Sequence, residues 1–220
     1  MPAVRPPRPP RSSPLEQAIE QLRASDPVLG GLIDRVGTEG IAAARHGRPR
    51  DHYGALVRSI IGQQLSTTAA RAIYARLTDR FGGRPPTPDE VLADDAEQLR
   101  AAAGLSRAKV GFLRSLAEHV LEGSLELHKL GRLSDKQVMA ELVAVKGIGE
   151  WTAHMFLMFH LKRPDVLAVG DLGIRKAIML AYGLPQLPNA AEIEALAEPW
   201  RPYRTLACEL LWRSLDATPV

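Results

Sequence analysis

Helix-start signals recur along this chain more often than any other pattern, and they constrain its fold more tightly than composition does. Ser13-Pro14-Leu15-Glu16 sets a capping hydroxyl before a proline at the first helical position and a glutamate at the third, the two reciprocal halves of a capping box. Thr87-Pro88-Asp89-Glu90 repeats the arrangement, and Ser134-Asp135-Lys136-Gln137 and Asn189-Ala190-Ala191-Glu192 repeat it without proline. Apolar residues then return at helical spacing, as in Ile73, Leu77, Phe81 and in Val138, Leu142, Val145, so these segments read as amphipathic helices. Gly82, Gly104, Gly123 and Gly183 stand where such helices would stop. Residues 164–170, PDVLAVG, form the only short apolar run bounded by breakers, and they read equally well as a strand or an extended loop. The pattern predicts an all-α fold of roughly ten short-to-medium helices.

Composition narrows the function classes. Over 220 residues, 45% hydrophobic content supplies a core for one domain or two small ones. A single cysteine, Cys208, excludes an intramolecular disulfide framework, a zinc ribbon and a four-cysteine iron–sulphur cluster. There is no apolar run of membrane-spanning length, and the N-terminus has no apolar stretch of a secretory signal. A soluble intracellular protein is expected. The formal charge is +3, from 28 basic and 25 acidic residues. Arg5, Arg8 and Arg11 lie in the proline-rich residues 1–14, which contain no acid, so basic and acidic residues balance over residues 15–220. The tail reads as extended and unpacked, and the body has no charge surplus with which to grip a polyanion. Arg45, Arg48 and Arg50 form the only basic cluster outside the tail. The six histidines show no metal-ligand spacing and read as structural.

Residues 134–160, SDKQVMAELVAVKGIGEWTAHMFLMFH, carry the most chemical information. One capped helix is expected to end near Val143 and the next to begin near Glu150, with Gly147 and Gly149 in the turn between. Two glycines one residue apart permit a tight turn and a close approach to another surface. They leave the amides of the turn and of the new helix's first residues without helical partners, a ready anion site to which Thr152 adds a hydroxyl. A plain αα-hairpin turn that binds nothing is the alternative for the glycines alone.

VKGIGEWTAHMF resembles the helix–hairpin–helix of the DNA-glycosylase superfamily. SIIGQQLSTTAARAIYARL resembles the helix–turn–helix segment that carries that family's wedge residue, and AEPWRPYRTLACELLW resembles the C-terminal helix of the alkylation-repair branch, the 3-methyladenine DNA glycosylase II type. The resemblance covers about residues 50–215 in the right order. It implies a two-lobed helical fold, one lobe formed by residues 52–160 and the other by 15–51 with 161–220. It also implies that the N-terminal β domain of the enterobacterial-type member is lacking.

The resemblance assigns roles to particular residues. Asp171, in RPDVLAVGDLGIRKAI, stands where the family carries its catalytic carboxylate. A fixed anion there would stabilise the oxocarbenium character that develops on deoxyribose as an N-glycosidic bond breaks. Asp171 also suits a helix N-cap, and both roles can coexist. Trp151 occupies the position where bifunctional members have a Schiff-base lysine, which implies hydrolysis of the base without strand cleavage. Trp151, Met155, Tyr203 and Trp200 are expected around the base, where electron-rich faces attract cationic alkylpurines; a core role is the alternative for the aromatics. Gln64 matches the wedge position, flanked by Gln63 and Leu65, and would fill the gap left by a flipped nucleotide. Gly147, Gly149, Thr152, Lys146 and Lys109 are expected at phosphates. A Na⁺ or K⁺ ion on the carbonyls of Val143, Val145 and Ile148 is a further implication. No redox or organic cofactor is expected. The Phe156-Leu157-Met158-Phe159 run reads as core. The implied activity is monofunctional excision of 3-methyladenine and 7-methylguanine from duplex DNA, by a monomer in the cytoplasm of a prokaryotic-type cell. A non-catalytic DNA-binding or scaffold module is the competing reading.

Overall fold

A computed structural model describes residues 13–39 and 51–216; the tail arginines and Arg45, Arg48 and Arg50 lie outside them. Among the described residues there are twelve α-helices and no strand. All four expected capping boxes form, because each needs only a side chain and an amide three residues apart. The first begins at Pro14 with Ser13 as its cap, as its motif predicts, so the last two residues of the expected tail belong to the helix start.

Helices α1 (Pro14–Ser25) and α2 (Pro27–Val36) pack on each other, and α2 packs on α10 (Leu172–Tyr182) and α12 (Arg204–Asp216). Asp26 joins these elements. Its carboxylate caps α2 through the amides of Val28 and Leu29 and accepts the Tyr182 hydroxyl and the Trp200 indole N–H. Burial pushes the acid up, but these donors together hold it below the usual carboxylate range. Trp200 is therefore not a base-pocket residue: its side chain is fully buried, and its one polar atom is committed to Asp26.

The middle of the chain forms α3 (His52–Gly62), α4 (Thr67–Arg80), α5 (Pro88–Ala93), α6 (Ala96–Ala103), α7 (Arg107–Leu121), α8 (Asp135–Val143) and α9 (Glu150–Phe159). Helix α3 is enclosed by α4, α7 and α9. Its Leu56, Ile60 and Ile61 are fully buried, as are Leu113 of α7 and Phe156 of α9 to within about 1%, and each such side chain contributes about 1.5–3 kcal/mol.

Residues 164–170 take the extended-loop alternative and form no strand. They do so because side chains at the start of α12 satisfy the loop's polar groups. The Thr205 hydroxyl accepts from Val166 N–H and donates to Arg163 C=O, and the Arg204 guanidinium grips the Asp165 carboxylate at 2.7 and 2.9 Å. That anchorage delivers Asp171 to the N-terminus of α10. No helix among the described residues is long and apolar enough to cross a membrane.

Candidate active site

Asp171 caps α10, with Oδ1 accepting the Ile174 amide at 2.8 Å. Besides this cap amide, two more donors converge on the same carboxylate. The Trp212 indole donates to Oδ1 at 2.8 Å and the Trp151 indole to Oδ2 at 2.6 Å. Three N–H groups, none of them charged, thus fix the orientation of one anion. Charge-assisted hydrogen bonds of this kind are about twice as strong as neutral ones. Gly173 makes room for the arrangement. A Cβ there would lie 3.0 Å from Asp171 Oδ1 and 3.2 Å from Trp212 Nε1.

Trp151 is 45% exposed and forms one wall of a cavity of about 340 Å³, a size suited to a small-molecule fragment such as a base. Met155, Phe156, Phe159 and His160 from the α9 side and Ala55, Arg58 and Gly62 from α3 also line it. Two expectations are corrected by this wall. Phe159 is only half-buried and faces the cavity, whereas Leu157 and Met158 are core and the buried Phe156 only borders it, and the Phe159 ring lies 6.0 Å from that of Trp212. His160 also lines the cavity and hydrogen-bonds to His52, a placement that the reading of these histidines as structural did not include. Tyr203 is half-buried against the core and is not among the lining residues.

The turn after α3 divides the expected wedge residues. Gln64 is in the left-handed region at φ +56 and is exposed, and Leu65 is 38% exposed. Gln63 turns the other way. Its amide donates to Gly147 C=O at 2.8 Å and to the Thr152 hydroxyl at 3.0 Å. Gln63 is therefore a strut to the hairpin and not a wedge, and Thr152, only 3% exposed, is its partner and not a phosphate ligand. Lys109 is also corrected. Its ammonium donates to the carbonyls of Ile61 and Gln63 at 2.6 and 2.9 Å, closing the open end of α3, and burial holds it below the usual lysine range.

The hairpin runs from α8 to α9 as expected. Gly147 has φ +92, and a Cβ on it would fall inside the Phe112 ring, so only glycine fits this approach to α7. Helix α9 starts on Gly149 with no side-chain cap, whereas Ser134, Asp171 and Asn189 each cap their helix. The first amides of α9 therefore receive no acceptor from an N-cap side chain. Lys146 is exposed beside them. Of the three carbonyls considered for a cation, that of Val145 accepts Ile148 N–H. A carbonyl keeps a second lone pair, so the Val145 oxygen can still accept a further partner.

The sequence matches the HhH-GPD superfamily of base excision DNA repair proteins over residues 57–202. The chain belongs to that family. Among curated relatives, DNA-3-methyladenine glycosylase 1 of Schizosaccharomyces pombe is 35% identical over 167 residues, 75% of this chain and 73% of the relative. DNA-3-methyladenine glycosylase 2 of Escherichia coli is 29% identical over 204 residues, 87% and 67% of the two chains. Among solved structures, the S. pombe 3-methyladenine DNA glycosylase in complex with abasic DNA superposes with a TM-score of 0.80 at 32% identity, over 93% of this chain and all of that one. The DNA-3-methyladenine glycosidase of Bacillus halodurans gives 0.75 at 35% identity, over 92% and 89%.

In this HhH-GPD protein the functional residue that sequence reasoning missed most plainly is Trp212. It lies in the C-terminal motif, but one sequence gives no way to tell that Trp212 reaches Asp171 while Trp200 is buried at Asp26. Gly173 left a usable signal: a glycine at the second position of a helix is disfavoured locally, which points to a close approach.

Proposed function

We propose that this chain is a monofunctional DNA glycosylase that releases alkylated purines of the 3-methyladenine and 7-methylguanine type from duplex DNA. The observation that carries the proposal is the Asp171 carboxylate held by two indoles and a helix amide beside the aromatic cavity. Its support is the likeness to a 3-methyladenine DNA glycosylase bound to abasic DNA.

The chemistry follows from the placement. The C1′–N bond breaks with its electron pair leaving on the base, and a cationic alkylpurine departs neutral. Positive charge grows on the deoxyribose, and the Asp171 anion stabilises it in a site whose dipoles are already oriented. Water adds at C1′, and its proton passes to Asp171 or to solvent. Trp151 and Phe159 offer π faces to the cationic base before it leaves. Gln64, with Leu65 beside it, fills the vacated stack. The uncapped amides of α9, with Gly147, Gly149 and Lys146, hold a phosphate.

Trp151 supplies no amine for a Schiff base, which supports hydrolysis without lyase chemistry; borohydride trapping on alkylated DNA is expected to yield no covalent adduct. A Na⁺ or K⁺ ion on the carbonyls of Val143, Val145 and Ile148 would reinforce the positive field at the hairpin. The proposal extends to a monomer acting on genomic DNA in the cytoplasm of a prokaryotic-type cell. The test is base release from methylated duplex DNA. Wild type is expected to release methylated purines and Asp171→Asn to release none, with both binding DNA. Binding without release by either protein would leave only the scaffold reading.

A further inference from the structure

His52 opens α3 and His160 follows the last turn of α9. They meet ring to ring, with His52 Nδ1 and His160 Nε2 2.6 Å apart. His160 stacks on Phe156 with ring centroids 4.8 Å apart, and the His52 ring stands edge-on to both. His160 lines the same cavity as Trp151, Met155 and Phe159. A hydrogen bond between two imidazole nitrogens needs one donor and one acceptor. The neutral pair meets that need, and so does a pair with one extra proton. Two imidazolium rings would set N–H against N–H and part. The contact therefore limits this wall of the cavity to a charge of zero or one.

We infer that His52 and His160 are a specificity-determining pair: uncharged at neutral pH, their wall accepts a cationic alkylpurine, and on gaining a proton it rejects that base while still admitting a neutral one. The inference rests on the proposed glycosylase activity and assigns part of its choice of base. Burial supports the neutral state, holding His52 below the ordinary imidazole range, while the charge of Asp51 works in the opposite sense. The other charged groups nearby are few. Arg58 lies across the cavity, with its guanidinium 5.5 Å from the Tyr74 ring centroid of α4. Asp171 lies behind Trp151. Helix α4 adds Thr67, and α9 adds only Trp151, Met155, Phe156 and Phe159. The turn over Leu127–Arg132, which packs on α3, carries His128, Arg132 and Lys129, the last paired with Glu126. From α7, Lys109 is committed to carbonyls at the far end of α3.

Two unit charges about 6 Å apart at an effective dielectric of about 20 to 40 disfavour each other by roughly tenfold to a hundredfold in equilibrium. The experiment measures single-turnover release of 7-methylguanine, cationic in DNA, and of hypoxanthine, which is neutral. Rates are taken on the full chain at about pH 7.5 and about pH 5, either side of the ordinary imidazole pKa. Dividing the two rates cancels effects on wedge, sugar and fold. Comparing wild type with His160→Gln and His52→Gln cancels the intrinsic acid lability of each nucleoside. In wild type the ratio of 7-methylguanine to hypoxanthine release is expected to fall, relative to either variant, by roughly tenfold or more on acidification. Imidazole ¹⁵N shifts should show an uncharged pair near neutrality. Release of both bases with the same pH course of their ratio in wild type and variants overturns the inference alone, as does a pair already charged at neutral pH. Wild type that releases no methylated base at either pH overturns the glycosylase reading and the inference with it.

Discussion

Gly173→Ala should separate the chemistry of this protein from its stability. The new methyl would lie 3.0 Å from Asp171 Oδ1, 3.1 Å from Trp212 Cδ1 and 3.2 Å from Trp212 Nε1. Each distance is a few tenths of an ångström inside ordinary contact, and relief requires moving the carboxylate or the indole that holds it. The bonds at stake are the 2.8 Å links from Trp212 and Ile174 to Oδ1. Full loss of one such donor costs about a hundredfold to a thousandfold where charge develops, so a partial displacement should slow base release by about tenfold or more. Stability should hardly change. Alanine gains about 0.5–1 kcal/mol over glycine within a helix, and mild overpacking costs about 1 kcal/mol. The two nearly cancel, leaving Tm within roughly 2–4 °C of wild type. Single-turnover release of 7-methylguanine and a thermal melt on the same preparation provide the check. Gly170→Ala is the control, because nothing lies within 4 Å of a Cβ there, and it should keep the wild-type rate. A fully active Gly173→Ala protein would refute the idea that the clamped carboxylate sets the rate.

Trp212→Phe keeps the ring but deletes one donor to Asp171; single-turnover release should fall about a hundredfold, with KM nearly unchanged if the pocket is intact. Gln63→Leu removes the strut between the wedge turn and the hairpin. It should weaken affinity for abasic-site DNA by about tenfold, read by fluorescence anisotropy, with a loss of about 1–3 kcal/mol of stability because Gly147 C=O and the Thr152 hydroxyl lose their partner. Asp26→Asn should lower stability by about 1–3 kcal/mol at neutral pH. Because the folded Asp26 carboxyl lies below its ordinary value, its contribution is complete above the unfolded carboxylate pKa, near 4, and is lost as pH falls through the folded value. Melts of the two proteins should therefore converge in acid; a constant gap down to about pH 2 would contradict the assignment.

The helix starts and the hairpin were legible in the sequence because their causes are local. A cap joins a side chain to an amide three residues away, and a glycine turn depends on its own backbone. Ser13, Thr87, Ser134 and Asn189 each cap their expected helix. The cap role of Asp171 was identifiable from the residues after it.

What only tertiary structure decided involves residues far apart in the chain or neighbours that turn in opposite directions. Trp151 and Trp212 reach Asp171 across 20 and 41 residues, and Trp200 reaches Asp26 across 174. Three chemically identical side chains thus take two fates, set by the helix face and partner that packing provides. Gln63 and Gln64 are the same residue type side by side, yet the left-handed backbone at Gln64 leaves one exposed while the other crosses to the hairpin. Thr152 and Lys109, polar groups suited to a phosphate, are instead satisfied internally, because a buried carbonyl or hydroxyl costs free energy unless something bonds to it. The sequence by itself determined where helices begin and which carboxylate heads α10. Packing determined which side chains surround that carboxylate, because hydrophobic burial selects faces and the polar atoms on those faces must then find partners wherever the fold has brought them.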